Sequence, residues 1–328
     1  MYIITGGAGF IGSVLVRKLN DLGIDDILIV DNIGTSDKWK NLVNKSYKDY
    51  IHKNDFIELL DTEDLQRMSQ SGIQGIAHLG ACSSTTETNM DYLMENNINF
   101  SKALFSYALD NDIPFVYASS AATYGAGENG FDDNNDELTK KLIPANRYGY
   151  SKHLFDIWLM ENDLFEKATG LKFFNVYGPN EYHKGGQASV CYHAYKQFIE
   201  TSEIKLFKSY LDDYKDGEQK RDHIYVKDCV DVVWWFLQNP DKTGLFNVGT
   251  GNARSWNALA KSITDSLGKP ENINYIEMPD RLKEHYQYFT EAKNQKLIDI
   301  GCDVKMRSLE EGVKDYVNQH LMNNFSIY

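Results

Sequence analysis

The feature that most limits how this sequence can fold is a glycine-rich turn at the start of the chain. An apolar run at 2–5 is followed by Gly6, Gly9 and Gly12, and then by apolar residues at helical spacing. In such a strand–turn–helix unit, the glycines permit a tight turn, close approach of a pyrophosphate and close helix packing. The start of the helix would offer free N–H groups to the phosphates. The pattern therefore predicts a dinucleotide site rather than a purely structural turn.

Short apolar runs and amphipathic segments alternate through the first half of the chain. The apolar runs predict strands at 2–5, 27–30, 75–79, 114–118 and 171–176, and the amphipathic segments predict helices at 10–22, 56–68, 92–109 and 148–165. Strict alternation indicates a parallel sheet covered by helices on both faces. Right-handed crossovers then give an α/β fold with a Rossmann-type doubly wound sheet.

The second half has weaker periodicity, with helices predicted at 189–200, 256–267 and 309–322 and strands at 224–226 and 245–248. We expect a dinucleotide-binding domain at 1–173 plus about 223–251. A smaller α/β substrate-binding domain is expected at about 174–222 and 252–328. No apolar run is long enough to predict a membrane span.

The charge and the cysteines narrow the function classes. The chain has 47 acidic and 34 basic residues and a net charge of −13, which disfavours a nucleic-acid partner. A small anionic ligand remains compatible, because it responds to local dipoles and lysines. The four cysteines, Cys82, Cys191, Cys229 and Cys302, lack metal-ligand spacing, so we expect free thiols and no metal site. With a strand at the start and no signal peptide expected, a cytoplasmic location is favoured.

The charged residues after the second predicted strand bear on the choice of dinucleotide. Asp31 ends that strand, and a carboxylate there can accept the ribose hydroxyls of NAD. Lys38 and Lys53 follow, and lysines there could instead neutralise the 2′-phosphate of NADP. The residues by themselves leave both cofactors open.

A tyrosine and a lysine form the candidate catalytic pair. Tyr148 and Lys152 are four residues apart and share one face of a predicted helix. A nearby ammonium would lower the pKa of Tyr148 and make it a general base toward a substrate hydroxyl. Tyr150 is two residues from Lys152 and should point elsewhere. Ser120 ends the preceding predicted strand, where its hydroxyl can contact the reacting oxygen.

Together, the glycine turn, the serine-containing strand end and the Tyr-x-x-x-Lys motif resemble the extended short-chain dehydrogenase/reductase family along nearly the whole chain. The relevant branches are the sugar-nucleotide epimerases and dehydratases. Dehydratases carry an acidic pair where this chain has Ala121 and Ala122, so elimination is disfavoured. The runs at 80–87 (GACSSTTE), 174–179 (FNVYGP) and 181–185 (EYHKG) resemble the ADP-glyceromanno-heptose 6-epimerases.

The resemblance implies an isomerase that oxidises and re-reduces C6 of an ADP-heptose, with Tyr148 and Lys184 on opposite sides of that carbon. It favours NADP, with NAD possible. The cofactor residues it implies are Gly6, Gly9, Phe10, Ile11, Gly12, Asp31, Asn32, Lys38, Lys53, Leu79, Gly80, Ala81, Cys82, Ser83, Asn96, Lys152, Val176 and Lys184. The substrate residues it implies are Asn175, Gly186, His193, Phe207, Arg221 and Tyr286. The Arg221 fork suits a diphosphate.

The chain departs from the family pattern in three places. The family usually has an arginine at the position of Lys172 and a serine at the position of Gly186. The stretch 208–220 is longer than in the family pattern. The alternatives are a UDP-hexose 4-epimerase, which needs only the tyrosine, and a nucleotide-sensing protein, which usually lacks the Tyr/Lys pair. The resemblance also implies a homo-oligomer, often a pentamer, that makes a precursor of the lipopolysaccharide inner core.

Overall fold

The computed structural model describes residues 1–69, 71–134, 136–283 and 286–328. The strands of these residues, in chain order, are β1 (Tyr2–Thr5), β2 (Ile27–Asp31), β3 (Asp49–His52), β4 (Gly75–His78), β5 (Phe115–Ser120), β6 (Thr169–Phe173), β7 (Asn175–Tyr177), β8 (Ile204–Phe207), β9 (Lys220–Arg221), β10 (His223–Tyr225), β11 (Gly244–Val248), β12 (Arg254–Ser255) and β13 (Ile273–Ile276).

The helices of the described residues are α1 (Phe10–Asp21), α2 (Lys53–Leu60), α3 (Asp64–Arg67), α4 (Met90–Leu93), α5 (Phe100–Asp110), α6 (Asp136–Lys140), α7 (Arg147–Glu161), α8 (Val190–Thr201), α9 (Val226–Gln238), α10 (Trp256–Ser266), α11 (Asp280–Lys283), α12 (Gln295–Asp299) and α13 (Leu309–Asp315). A π-helical turn, Met94–Asn99, joins α4 to α5, and another, Tyr316–Leu321, continues α13.

Seven strands of the described chain form one parallel sheet in the order β11-β6-β5-β4-β1-β2-β3. Successive residues of β1 pack on opposite faces of the sheet. Ile3 and Ile4 are both fully buried, but they belong to separate apolar clusters. Helices therefore cover both faces of the sheet, and the predicted doubly wound α/β fold is confirmed. The strand order reverses between β1 and β4, and a ligand crevice is expected at the carboxyl ends of those strands.

Two predicted elements are each divided in the structure. The helix predicted at 56–68 is interrupted after Leu60, where the Thr62 hydroxyl bonds to the Leu59 carbonyl and the Asp64 N–H and so competes with helical hydrogen bonding. The strand predicted at 171–176 becomes β6 and β7. Phe174 N–H donates to Val248, while Asn175 N–H donates to Asp222, so the chain changes partner there.

The sequence analysis missed α9, the short helices α6, α11 and α12, and several short strands, β3, β8, β9, β12 and β13. Helix α9 packs against α1, and its Val232 and Val233 are fully buried. Its Val226, Val230 and Val233 follow helical spacing, so the signal for this helix was present in the sequence and was overlooked. In the part of the chain that the structure describes, no helix has the length and apolar character needed to cross a membrane.

Candidate active site

A cavity of about 660 Å³ opens at the carboxyl ends of β1, β4 and β5. Most residues proposed from the sequence contribute to its wall. These are Gly6, Gly9, Phe10, Ile11, Gly12, Asp31, Lys38, Leu79, Gly80, Ala81, Cys82, Ser83, Ser120, Tyr148, Lys152, Asn175, Val176 and Lys184. The fold thus brings the glycine turn, the Tyr/Lys helix and the 181–185 motif to one place.

The glycine turn leaves a shallow cradle at the start of α1. Gly6 has φ +68°, and a Cβ added there would lie 2.7 Å from the backbone N and Cα of Gly80. A Cβ at Gly12 would overlap the Gly6 carbonyl. The helix starts after Gly9 without a side-chain cap and with no acidic residue in its first turn. The cradle and the uncapped N–H groups fit a dinucleotide pyrophosphate.

Asp31 lies at the edge of this cradle and is held by three donors. Its carboxylate accepts the N–H groups of Ala8 at 2.9 Å and Asn32 at 2.7 Å, and Lys38 Nζ pairs with it at 2.6 Å. The Asn32 side chain is exposed and lies outside the cavity wall. The site where a ribose hydroxyl or 2′-phosphate would bind therefore combines a carboxylate with an ammonium.

Lys53 and Asn96 lie outside the cavity wall but contact each other. The Lys53 ammonium donates to the Asn96 side-chain oxygen and lies 6.0 Å from the Phe100 ring centroid. Burial lowers the pKa of Lys53, and Glu95 opposes that shift. Lys53 begins α2 and Asn96 lies within the Met94–Asn99 turn, so this contact joins the two segments.

Tyr148 and Lys152 are in place, but the expected fall in the phenol pKa is wrong. Burial raises the pKa of Tyr148, and a side-chain hydrogen bond with Ser120 only partly opposes this. Lys152 donates to the Ala118 carbonyl at 2.8 Å, and burial lowers its pKa to about 8. Spacing on the helix could not reveal this carbonyl partner. Tyr150 is 46% exposed and points away from the cavity wall, as predicted.

Lys184 projects from the turn Tyr182–Gln187 and lies 5.4 Å from the Phe10 ring centroid. Burial lowers its pKa, and the nearby Glu181 carboxylate opposes that shift. Glu181 is itself buried and accepts the N–H and hydroxyl of Ser189 and the hydroxyl of Tyr316. The turn that carries Lys184 is therefore fixed to α8 and to the Tyr316–Leu321 turn.

Asn41 connects this turn to the glycine cradle, and the sequence analysis missed it. Its buried side-chain amide lies 3.0 Å from the Ala8 carbonyl, 3.1 Å from the Asn180 carbonyl and 3.2 Å from His183 Nδ1. The glycine cradle and the Tyr182–Gln187 turn are far apart in the sequence, and no periodic pattern indicates that Asn41 joins them.

The proposed substrate residues Phe207, Arg221 and Tyr286 gather around Trp256. The Arg221 guanidinium lies 5.6 Å from the Trp256 ring and 5.4 Å from the Tyr286 ring. Trp256 Nε1 donates to the Tyr286 hydroxyl at 2.9 Å, and Phe207 packs edge-on against Tyr286. Trp256 itself lines the cavity, so it connects this cluster to the site. Sequence analysis treated Trp256 only as the start of a helix.

Gly186 and His193 are exposed and do not line the cavity. Gly186 belongs to the turn that carries Lys184, and His193 lies on α8 beside Tyr192. The departure at Lys172 lies inside the sheet, where this fully buried lysine donates to Thr123 at 2.6 Å. In the described residues no cluster of three or more His, Cys, Asp or Glu could hold a metal ion.

A model of the NAD-dependent epimerase/dehydratase family matches residues 2–249. The chain belongs to this family. It is 51% identical over 321 residues to an ADP-L-glycero-D-manno-heptose-6-epimerase of Nitratidesulfovibrio vulgaris strain DP4, and 50% identical over 329 residues to the protein of that name from Fusobacterium nucleatum. Each comparison covers 98% of both chains.

Solved structures of family members have the same fold. The Helicobacter pylori ADP-L-glycero-D-manno-heptose-6-epimerase superposes with a TM-score of 0.76 at 28% identity, covering 97% of this chain and 95% of that one. A UDP-N-acetylglucosamine 4-epimerase from Methanobrevibacter ruminantium superposes with a TM-score of 0.80 at 23% identity, covering 98% of each chain. The second likeness concerns the fold alone.

Proposed function

We propose that the protein is an ADP-L-glycero-D-manno-heptose 6-epimerase, which interconverts the two C6 epimers of ADP-glycero-manno-heptose. The observation that carries this proposal is the full-length similarity, at about half identity, to proteins of that name. The cavity supports it, because Tyr148 and Lys184 reach its wall from different elements, α7 and the Tyr182–Gln187 turn. Two proton-handling groups on different sides of the cavity suit inversion at C6, because each can serve one face of that carbon.

We propose NADP as the cofactor, with NAD as the alternative. The glycine cradle and Phe10, Ile11 and Val176 would hold it. Lys38 would neutralise a 2′-phosphate, since its ammonium already lies beside the position that Asp31 marks for the ribose. Removal of a hydride from C6 and its return to the opposite face is the chemistry that the bound nicotinamide supplies.

The protein handles the proton of the C6 hydroxyl. Burial raises the pKa of Tyr148 and lowers that of Lys184, so burial favours the neutral form of both groups. One group removes the hydroxyl proton as C6 is oxidised. The 6-keto group rotates about the C5–C6 bond, and the other group returns a proton when C6 is reduced. Ser120 would hold the reacting oxygen near Tyr148.

The nucleotide end of the substrate would bind in the smaller domain, whose boundaries we propose at about 174–222 and 252–328. Arg221 would pair with the diphosphate, while Trp256 and Tyr286 keep its guanidinium in place. Asn175 would contact the sugar. We further propose that the protein acts in the cytoplasm as a homo-oligomer and supplies a precursor of the lipopolysaccharide inner core.

The direct test is interconversion of the epimers. The bound nucleotide is released from one sample and identified, and the untreated holoenzyme is incubated separately with ADP-D-glycero-D-manno-heptose and the L-glycero epimer. Each is expected to give the same mixture by NMR without added reductant. Absence of conversion from both sides would refute the proposal.

Variants separate this reaction from the alternative, epimerisation of a UDP-hexose at C4. Tyr148→Phe and Lys184→Met are each expected to lower kcat by about 100-fold or more. Tyr150→Phe is the matched control, because this exposed neighbour on the same helix should leave kcat within twofold. A C4 enzyme would tolerate Lys184→Met, and conversion of UDP-hexose by that variant would favour the alternative.

A further inference from the structure

A fully buried carboxylate lies behind the catalytic pair, on the same helix. Asp156 accepts the Tyr117 hydroxyl at 2.8 Å and the Ser119 hydroxyl at 2.7 Å, and Lys172 Nζ lies 3.5 Å from it. The reaction proposed above assigns no role to it. A buried ion pair is weak evidence for stability, because desolvation opposes the attraction.

Asp156 continues the catalytic face of α7. Tyr148, Lys152 and Asp156 follow one another at intervals of four residues and therefore lie along one side of the helix. Each bonds to one of three consecutive residues that end β5. Lys152 contacts Ala118, Asp156 contacts Ser119, and Tyr148 contacts Ser120.

The turn after β5 and helix α7 are also in direct contact at a glycine. A Cβ added to Gly149 would lie 2.6 Å from the Ala122 carbonyl oxygen. Because the backbones approach this closely, a shift of Ser119 would be transmitted to Ser120 and to its hydrogen bond with Tyr148. The Asp156–Ser119 contact and the Ser120–Tyr148 hydrogen bond therefore involve adjacent residues of the same strand end.

Asp156 also acts on the charge of Lys152. Burial lowers the pKa of Lys152 to about 8, and the Asp156 carboxylate is the first of two groups that raise it, the other being Cys82. From β4, His78 faces Lys152, and burial keeps the pKa of His78 at about 3, so it carries no charge near neutral pH.

The remaining groups around Asp156 come from three other elements and from α7 itself. Lys172 approaches from β6, Tyr117 from β5 and Tyr124 from the turn after β5, while His153 is its neighbour on α7. Burial raises the pKa values of both tyrosines and lowers that of His153, so all three are neutral in the working range. Burial lowers the pKa of Lys172 and the paired Asp156 carboxylate opposes that shift, so Lys172 and Lys152 are the two lysines that Asp156 influences.

We propose that Asp156 is a positioning residue for the epimerase. It holds the end of β5 against α7, so that Ser120 meets Tyr148, and its carboxylate balances the Lys152 ammonium. This inference rests on the proposed function.

The test compares three variants of the holoenzyme with the wild type, whose conversion of ADP-heptose is established first. Asp156→Asn keeps the side-chain size and removes the charge. We expect kcat to fall at least tenfold, KM to stay within twofold, and the alkaline limb of the pH profile to move about 1 unit lower as the pKa of Lys152 falls. Ser119→Ala keeps the charge and removes the contact, so kcat should fall several-fold with the limb unmoved.

Asp228→Asn is the matched control. Asp228 lies on a different helix, α9, and is also a fully buried carboxylate with a cationic partner, Arg307. It should leave kcat within twofold and the pH profile unchanged. The proposal would be overturned if Asp156→Asn kept the wild-type kcat and pH profile. It would also be overturned if Asp156→Asn and Asp228→Asn lost the same fraction of kcat. If Asp156→Asn does not fold, Ser119→Ala decides, and an unchanged kcat there overturns the inference. No conversion by the wild type would instead refute the proposed function.

Discussion

The glycine cradle allows a prediction with a built-in control. Gly6 and Gly23 both have positive φ, at +68° and +78°, so alanine at either position costs about 1–2 kcal/mol in the left-handed region. A lower entropy of the unfolded chain offsets about 0.4–1 kcal/mol of this in both variants. Only at Gly6 would the new Cβ meet other atoms, at 2.7 Å from the Gly80 backbone, since no atom of the described residues lies within 4 Å of a Cβ at Gly23.

The overlap at Gly6 cannot be relieved by rotating a side chain, because its partner is backbone. Such overpacking typically costs about 1–3 kcal/mol. Gly6→Ala should therefore lower the free energy of unfolding by about 1–3 kcal/mol more than Gly23→Ala. It should also displace the turn that would hold the pyrophosphate, so that the purified protein contains little nicotinamide.

The assay uses urea unfolding of both nucleotide-free variants, so that ligand binding does not contribute to the comparison. The nucleotide content of each freshly purified protein is measured separately. Gly23→Ala should retain wild-type content. The reasoning would be refuted by Gly6→Ala that keeps full nucleotide content and unfolds within 0.5 kcal/mol of Gly23→Ala, about the limit of such comparisons.

Further predictions concern cofactor choice, acid stability and the substrate end. Lys38→Ala leaves the Asp31 carboxylate without its ammonium, so titration of the nucleotide-free protein should show about a tenfold loss of affinity for NADP relative to NAD. Equal losses of affinity for NADP and for NAD would contradict this. Burial lowers the pKa values of His78 and His223 to about 3, so unfolding takes up protons between pH 3 and 6.5. Each histidine should lower the free energy of unfolding by about 1.4 kcal/mol per pH unit as the pH falls through that range. Equal free energies of urea unfolding at pH 7 and 4.5 would count against this prediction. Trp256→Phe removes the donor to Tyr286 and weakens the ring beside Arg221, so the Kd for ADP should rise about tenfold by calorimetry; an unchanged Kd would argue against that cluster.

The parts of the site that could be predicted are those encoded over a few residues. The glycine spacing and the four-residue interval from Tyr148 to Lys152 depend only on turn and helix geometry, and the structure brings both to the cavity. The motif 181–185 pointed to Lys184 through resemblance, because a lysine in a loop carries no signal of its own. The cofactor and substrate roles of these residues remain predictions.

Features that depend on distant segments could not be predicted. Asn41 connects Ala8 to Asn180, and Trp256 meets Arg221, because the chain folds back after more than thirty residues in each case. The direction of the Tyr148 pKa was wrong for the same reason. Spacing suggested a nearby ammonium, while burial, which depends on the whole fold, dominates the phenol.

The sequence by itself determined the α/β class, the position of the glycine-rich turn before α1 and the placement of Tyr148 and Lys152 on one face of a helix, because these follow from local periodicity and backbone sterics. Only the tertiary structure decided which groups are desolvated and what they touch. It places Asp156 against Ser119 and Lys172, and it bonds Lys152 to Ala118. Burial and charge pairing depend on every segment that packs around a residue, so they exist only once the chain is folded.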